Sequence, residues 1–293
     1  MQLFSILIDV VGPVFLVAFV GYVWSRRGAP FDPRFIALMV TSVATPSMVI
    51  DSLSTSGLQT GALGAIALAS LLCHALSLGA GWLFVRAVGQ PTTVFLPALT
   101  FPNTGNMGLP LGMFAFGQPG LALSIGYYAV ASLLQFTVGQ SIAAKQIDPR
   151  ALLRMPLIWA IAFGLFLALT GLQLPNVASR GLHILGGLMV PLMLLSLGHS
   201  LARLRFSSLG RGLMFSTARL FGGFAIGWLV ATMLGLDGLA RGVVVVQSSM
   251  PSAVYNYMFA ERFGNQPEEV AGVVVVSTLM AIPLLPIFMW TVM

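Results

Sequence analysis

Charge is what this sequence has least of. Only 8% of its 293 residues are Asp, Glu, Lys or Arg, against 57% hydrophobic, and the mean hydropathy is +0.94. A soluble domain carries about a quarter charged residues to solvate its surface. That scarcity excludes an ordinary water-exposed exterior and makes the lipid bilayer the natural solvent. Cysteine is scarcer still: a single Cys73 excludes an intrachain disulfide or a cysteine metal site. In its apolar run it reads as a small buried residue. There is no Gly-x-Ser-x-Gly segment and no second carboxylate near mid-span, so an intramembrane enzyme would lack its nucleophile–base or paired-acid machinery. No cofactor and no metal are expected.

The net charge of +6 would suggest nucleic acid in a soluble protein. Here the arginines lie in short connections between apolar runs, as the positive-inside bias requires, and no nucleic-acid partner is expected. The first 25 residues lack a basic leading region, and Arg26 and Arg27 follow the apolar stretch. They read as a retained first helix and not as a signal peptide.

A spanning helix needs about 20 mainly apolar residues. Cutting the chain at its polar, Gly- and Pro-containing connections predicts ten spans, near 4–25, 35–54, 61–86, 92–116, 120–144, 151–172, 181–202, 211–235, 238–261 and 268–291. The odd-numbered connections hold Arg26, Arg27, Arg34, Arg86, Lys145, Arg150, Arg154, Arg203, Arg205, Arg211 and Arg262. The even-numbered ones hold only Arg180 and Arg241, and Arg219 falls inside a span. This asymmetry puts the odd connections in the cytoplasm and both termini outside.

The two halves echo each other. Thr45-Pro46-Ser47 in span two is matched by Val190-Pro191-Leu192 in span seven, and Pro102-Asn103-Thr104-Gly105-Asn106 in span four by Pro251-Ser252-Ala253-Val254-Tyr255-Asn256 in span nine. Five spans per unit turn the second copy upside down, which is the inverted-repeat pattern of secondary transporters. The expected repeats are residues 1–146 and 147–293, joined by the polar Lys145–Arg150 connection.

Proline in a helix interior removes a hydrogen bond and clashes with the preceding turn. In lipid such a break is tolerated where it is buried in protein or lines a cavity. One such proline is commonly a kink, but Pro102 and Pro251 stand in matching positions of two repeats and are followed by small or amide residues. Both helices are therefore expected to break near the midplane, each second half presenting its positive N-terminal end to a cavity suited to an anion. The candidate binding residues are Asn103, Asn106, Ser252, Asn256, Gln135 and Arg219, with Pro102, Gly105 and Pro251 forming the break; Gln247 is a further candidate for the pocket wall. Pro46 and Pro191 have less polar surroundings and read as scaffold kinks.

Ionisable residues inside spans are costly in hydrocarbon. Arg219 could balance carbonyl ends or attract an anion, or be purely structural. His74, near its repeat-related position, could relay protons or be a satisfied structural histidine. Asp51 and Asp9, toward the external ends of spans two and one, could be solvated at the interface, with Asp51 the stronger candidate for coupling. Glu261, Glu268 and Glu269 read as a solvated cytoplasmic face.

At these residues the sequence resembles the auxin efflux carrier family, which contains plant PIN-type carriers and bacterial malonate or malate permease homologues. The resemblance rests on Pro102-Asn103-Thr104-Gly105-Asn106-Met107-Gly108-Leu109-Pro110, Thr45-Pro46-Ser47 and Pro251-Ser252-Ala253, and spans nearly the whole chain. It implies a fold similar to that of bile-acid sodium symporters: a scaffold from spans one, two, six and seven, and a transport domain from spans three to five and eight to ten. It also implies homodimers, elevator-like movement and organic-anion substrates in the bacterial inner membrane. No acid stands beside Pro251, where the symporters are expected to bind sodium through a glutamate, so proton or potential coupling is favoured over sodium. A sodium-coupled symporter and a non-transporting membrane sensor are the alternatives.

Overall fold

The computed structural model describes residues 2–55, 60–145, 156–203 and 209–292, with side chains from residue 12 onward except at 34, 55 and 60. Asp9 and Arg34 as side chains, Arg150, Arg154 and Arg205, and the expected boundary between repeats at 146/147 lie outside that set. Among the described residues every regular element is helical. This is an all-α integral membrane protein.

In chain order the helices are α1 (Gln2–Arg26), α2 (Pro33–Met39), α3 (Thr45–Thr55), α4 (Thr60–Ala87), α5 (Thr92–Thr100), α6 (Leu109–Leu134) and α7 (Gln140–Ala144). In the second half come α8 (Pro156–Thr170), α9 (Asn176–Gly187), α10 (Met189–Arg203), α11 (Leu209–Met233), α12 (Gly238–Ser248), α13 (Val254–Phe263) and α14 (Pro267–Trp290). Three π-helical turns, Val40–Ala44, Thr104–Gly108 and Gln135–Gly139, adjoin these helices and run into them without a break.

Among the described residues six helical stretches are long and apolar enough to cross a bilayer: Phe35–Ser54, Gly61–Ala87, Thr104–Ala144, Asn176–Arg203, Leu209–Met233 and Pro267–Trp290. Two shorter apolar helices, Gly12–Arg26 and Pro156–Thr170, accompany them. The difference from the ten expected segments has a structural origin. α5, α12 and α13 hold 9, 11 and 10 residues, or about 14–17 Å at 1.5 Å per residue, half of a roughly 30 Å hydrocarbon core. Conversely, the 41 residues of Thr104–Ala144 would measure roughly 60 Å as a straight helix. Gly117 interrupts that stretch with φ 66° and ψ −160°, a conformation open to a residue without Cβ, and there the chain can double back.

Helices α1, α3, α8, α9 and α10 pack on one another, while α4, α5, α6, α11, α12, α13 and α14 form a second set of mutual neighbours. Close approach in the first set depends on glycine. A Cβ on Gly198 would run into the Ala18 carbonyl, one on Gly21 into Leu195, and one on Gly186 would lie 2.9 Å from Met48 Cα. Small residues that let backbones touch are how helices associate in lipid, where burial of apolar surface gives little drive. Large apolar side chains such as Trp159, Phe166, Leu169 and Trp290 are at least half exposed, as expected of surfaces that face acyl chains.

Candidate functional site

The breaks at Pro102 and Pro251 meet. α5 ends at Thr100 and α12 at Ser248, and between Phe101 and Ala253 the two extended segments pair antiparallel, Pro102 opposite Ser252. Asn103 N donates to Pro251 O at 2.7 Å, and Ala253 N donates to Phe101 O at 3.1 Å. The prolines explain the local unwinding, because neither can donate to its own helix. The reciprocal bonds satisfy backbone groups that lipid could not.

Side chains seal the junction. Asn256 Nδ2 donates to Phe101 O and to Ser252 Oγ, both at 3.0 Å, and Gln135 Nε2 donates to Asn256 Oδ1 at 3.3 Å. Ser252 N donates to Ser277 Oγ at 3.1 Å, and Gln247 Nε2 to Gly108 O at 2.9 Å. A Cβ on Gly108 would overlap Gln247 Oε1, so that glycine makes room for the amide. Gln135 opens a π-helical turn whose Gly139 lies against the Phe101 ring, where a Cβ would come within 2.7 Å of Phe101 Cε2.

Asn103 differs from its neighbours. It occupies the position just before the first turn of its half-helix, where asparagine commonly caps, yet it makes no side-chain cap bond. It is buried, and its Nδ2 has no hydrogen-bond partner among the described residues. Asn106 and Gly105 follow in the half-buried π-helical turn. A Cβ on Gly105 would stand 3.1 Å from the Tyr128 ring and 3.7 Å from Met193 Cε, so this turn faces α10 of the other helix set. The structure thus brings together Asn103, Ser252, Asn256 and Gln135 around Pro102 and Pro251, with Gly105 and Asn106 at the edge.

Arg219 sits behind the junction, only 2% exposed. From α11 it donates Nη1 to Leu99 O and Nη2 to Ser248 O, in the last turns of α5 and α12. Its Nε has no partner among the described residues. Each helix C-terminus carries roughly half a negative charge, so one guanidinium balances both ends. Of the roles open to Arg219, this geometry matches the balancing of carbonyl ends. His74 lies on the same side: Nδ1 donates to Ser70 O at 2.7 Å, the ring centre is 5.8 Å from those of Phe101 and Tyr127, and Nε2 has no partner among the described residues.

Asp51 stands apart from this group. Its Oδ2 lies 3.0 Å from His183 Nδ1, at a separate cavity. Glu269 is not a solvated acid: it is 8% exposed and takes two bonds from Arg211, at 2.8 and 2.5 Å. From Glu269 to Val274 the residues of α14 are buried, and Arg211 supplies the charge that burial demands. Sequence reasoning missed Ser277, whose signal was a lone hydroxyl pair, Ser277-Thr278, within the run Val273–Met280. It also missed the backbone acceptors at Leu99, Phe101 and Ser248, which no side-chain pattern announces.

Residues 142–289, half of the chain, match the membrane transport protein family. The chain is 27% identical to an uncharacterized transporter of Methanothermobacter thermautotrophicus over 295 aligned positions, covering 95% of each protein. It is 28% identical to an uncharacterized transporter of Methanocaldococcus jannaschii over 201 positions, 64% of each. Together with the apolar helices, these matches make the protein a transporter rather than an enzyme, and the chain belongs to the membrane transport protein family, that of the auxin efflux carriers.

Proposed function

We propose that this protein is a secondary active carrier of small organic anions, monocarboxylates or dicarboxylates, bound where the two broken helices meet. The observation that carries the reading is the pair of half-helices that start at the junction, after Asn103 and after Ala253. The first-turn amides of a helix have no acceptor within it, and each N-terminus carries roughly half a positive charge. Two such ends supply about one positive charge, matched to one carboxylate. Arg219 neutralises the opposite pair of ends, so the positive ends are not cancelled from behind. Asn103 Nδ2, which no described residue engages, supplies a directed donor, and Asn106, on the adjacent half-buried turn, is placed for a second contact.

In this reading the chain has ten spans in two inverted repeats. The glycine-packed set containing α1, α3, α8, α9 and α10 serves as scaffold and dimer-forming body, and the set around the junction as the moving, elevator-like body. Both termini lie outside the bacterial inner membrane. Neither broken helix contains an acid between Thr92 and Gly117 or between Gly238 and Ala260, which favours proton or potential coupling over sodium.

The test is uptake of labelled acetate, benzoate, malonate and succinate into liposomes holding only this protein, each with a proton gradient, a sodium gradient or neither. Saturable uptake of at least one, reduced at least about tenfold in kcat/KM by Asn103→Ala and indifferent to sodium, is the expected result. Absence of flux for all four from folded protein would overturn the carboxylate reading.

A further inference from the structure

A cavity of about 580 Å³ opens away from the junction, lined by Asp51, Ser52, Gln118, Arg180, His183 and their neighbours. It lies on the side opposite the arginine-rich connections, the external face in the proposed orientation. Three elements build it. α3 contributes Asp51 and Ser52, α9 contributes Arg180 and His183, and the bend at Gly117 contributes Gln118. Arg180 and His183 are three residues apart in α9, so they share one face of that helix.

The charges divide unevenly. The carboxylate of Asp51, 19% exposed, is engaged by His183, whose side chain is 75% exposed. Arg180 lines the same space and has no ion-pair partner among the described residues. The other helices packed on α3 and α9 near this end, α6 and α8, carry no charged residue. An anion entering the cavity therefore meets Arg180 with a fork of donors that no described acidic residue engages, the polar group chemistry that favours a planar carboxylate. The amide of Gln118 belongs to the helix set of the junction, whereas Arg180 belongs to the glycine-packed set.

We infer that this cavity is a reception site for organic carboxylates, in which Arg180 holds the anion and Gln118 donates from the other helix set. The site lies at the end of the half-helix that begins after Asn103, about twelve residues or roughly 18 Å along, so an anion held here stands about half a bilayer from the junction. A ligand spanning Arg180 and Gln118 ties the two helix sets together at their outer ends. The inference rests on the proposed carboxylate cargo, but its main test does not require transport.

The native thiol Cys73 is buried, which gives a quiet background for a reporter. In a Cys73→Ser, Ser179→Cys protein, whose new thiol lines the same cavity, the rate of modification by a sulfonate-bearing methanethiosulfonate is compared with that by its trimethylammonium counterpart. The anionic reagent is expected to react about three- to tenfold faster, from the local positive field. Arg180→Gln should abolish that preference, Arg180→Lys should keep it, and millimolar succinate should slow modification only where the charge is kept. Equal rates for both reagents, or a preference unchanged by Arg180→Gln, overturns the site. In liposomes, Arg180→Gln should raise KM from the outer side about tenfold with kcat within about twofold, as loss of a charged contact to the anion implies. Transport by wild type with KM untouched by Arg180→Gln would overturn the reception site and leave the junction reading intact. Succinate protection without any carboxylate transport would do the reverse.

Discussion

Arg219 donates to the Leu99 and Ser248 carbonyls at once, so one side chain closes the last turns of both first half-helices. Its removal leaves two buried acceptors and two helix ends without a counter-charge. Hydrogen bonds from a charged donor are worth about 1.5–3 kcal/mol each. Arg219→Gln should therefore lower stability by about 3 kcal/mol or more, read as a loss of melting temperature in detergent, and abolish flux. Arg219→Lys, a point charge in place of a fork, should restore part of the melting temperature. Wild-type stability in Arg219→Gln would show that the carbonyls find other partners.

Adjacent glycines give a sharper contrast. A Cβ on Gly223 would overlap both Arg219 Nη2 and the Ser248 carbonyl, whereas one on Gly222 meets nothing within 4 Å. Overpacking of a tight site costs about 1–3 kcal/mol. Gly223→Ala should thus mimic the Arg219 variants in melting temperature and flux, while Gly222→Ala should be neutral or slightly stabilising through helix propensity. Equal behaviour of the two variants would sink the claim that the guanidinium is sterically held.

Much of this arrangement is legible along the chain, and the remainder is not for definite reasons. Pro102 and Pro251 announce their breaks because proline and amides inside apolar runs conflict with an unbroken membrane helix. The bend at Gly117 falls between the expected fourth and fifth spans for a similar reason. The π-helical turns carry no such signature, since one extra residue per turn leaves the apolar composition unchanged. Arg219 stands out as a costly cation, but its partners are main-chain oxygens. Asp51 and His183 lie 132 residues apart, and their pairing depends on how α3 and α9 pack. Glu269 reads as solvated because its neighbour Glu268 and nearby Glu261 share its polarity; only packing of α11 against α14 buries it.

Asn256 separates donor chemistry from shape. Its Nδ2 donates to Phe101 O and Ser252 Oγ while its Oδ1 accepts from Gln135. Asn256→Asp preserves the volume but sets a carboxylate oxygen against the Phe101 carbonyl, a contact between two acceptors, and buries a charge that only the Ser252 hydroxyl and the Gln135 amide can answer. It should cost about 2–4 kcal/mol, whereas Gln135→Ala, which removes one long bond, should cost about 1 kcal/mol. Chemical or thermal unfolding of the two variants decides the order; a more severe effect from Gln135→Ala would mean that the Asn256 amide is oriented the other way round.

Asn103 should behave in the opposite manner. Its buried Nδ2 has no partner among the described residues, so Asn103→Ala removes a desolvated donor that makes no hydrogen bond with them. The variant should melt within about 1 kcal/mol of wild type, since a buried polar group without a partner is a cost and not a support. Its side chain makes no cap bond either, so no backbone amide is orphaned by the change. Transport should nevertheless fall at least about tenfold in kcat/KM, because the donor is the one aligned with the start of a positive helix end. Melting temperature and flux measured on the same preparation test both halves. A destabilised Asn103→Ala protein would mark the residue as structural, and a stable one with wild-type flux would remove it from the binding site.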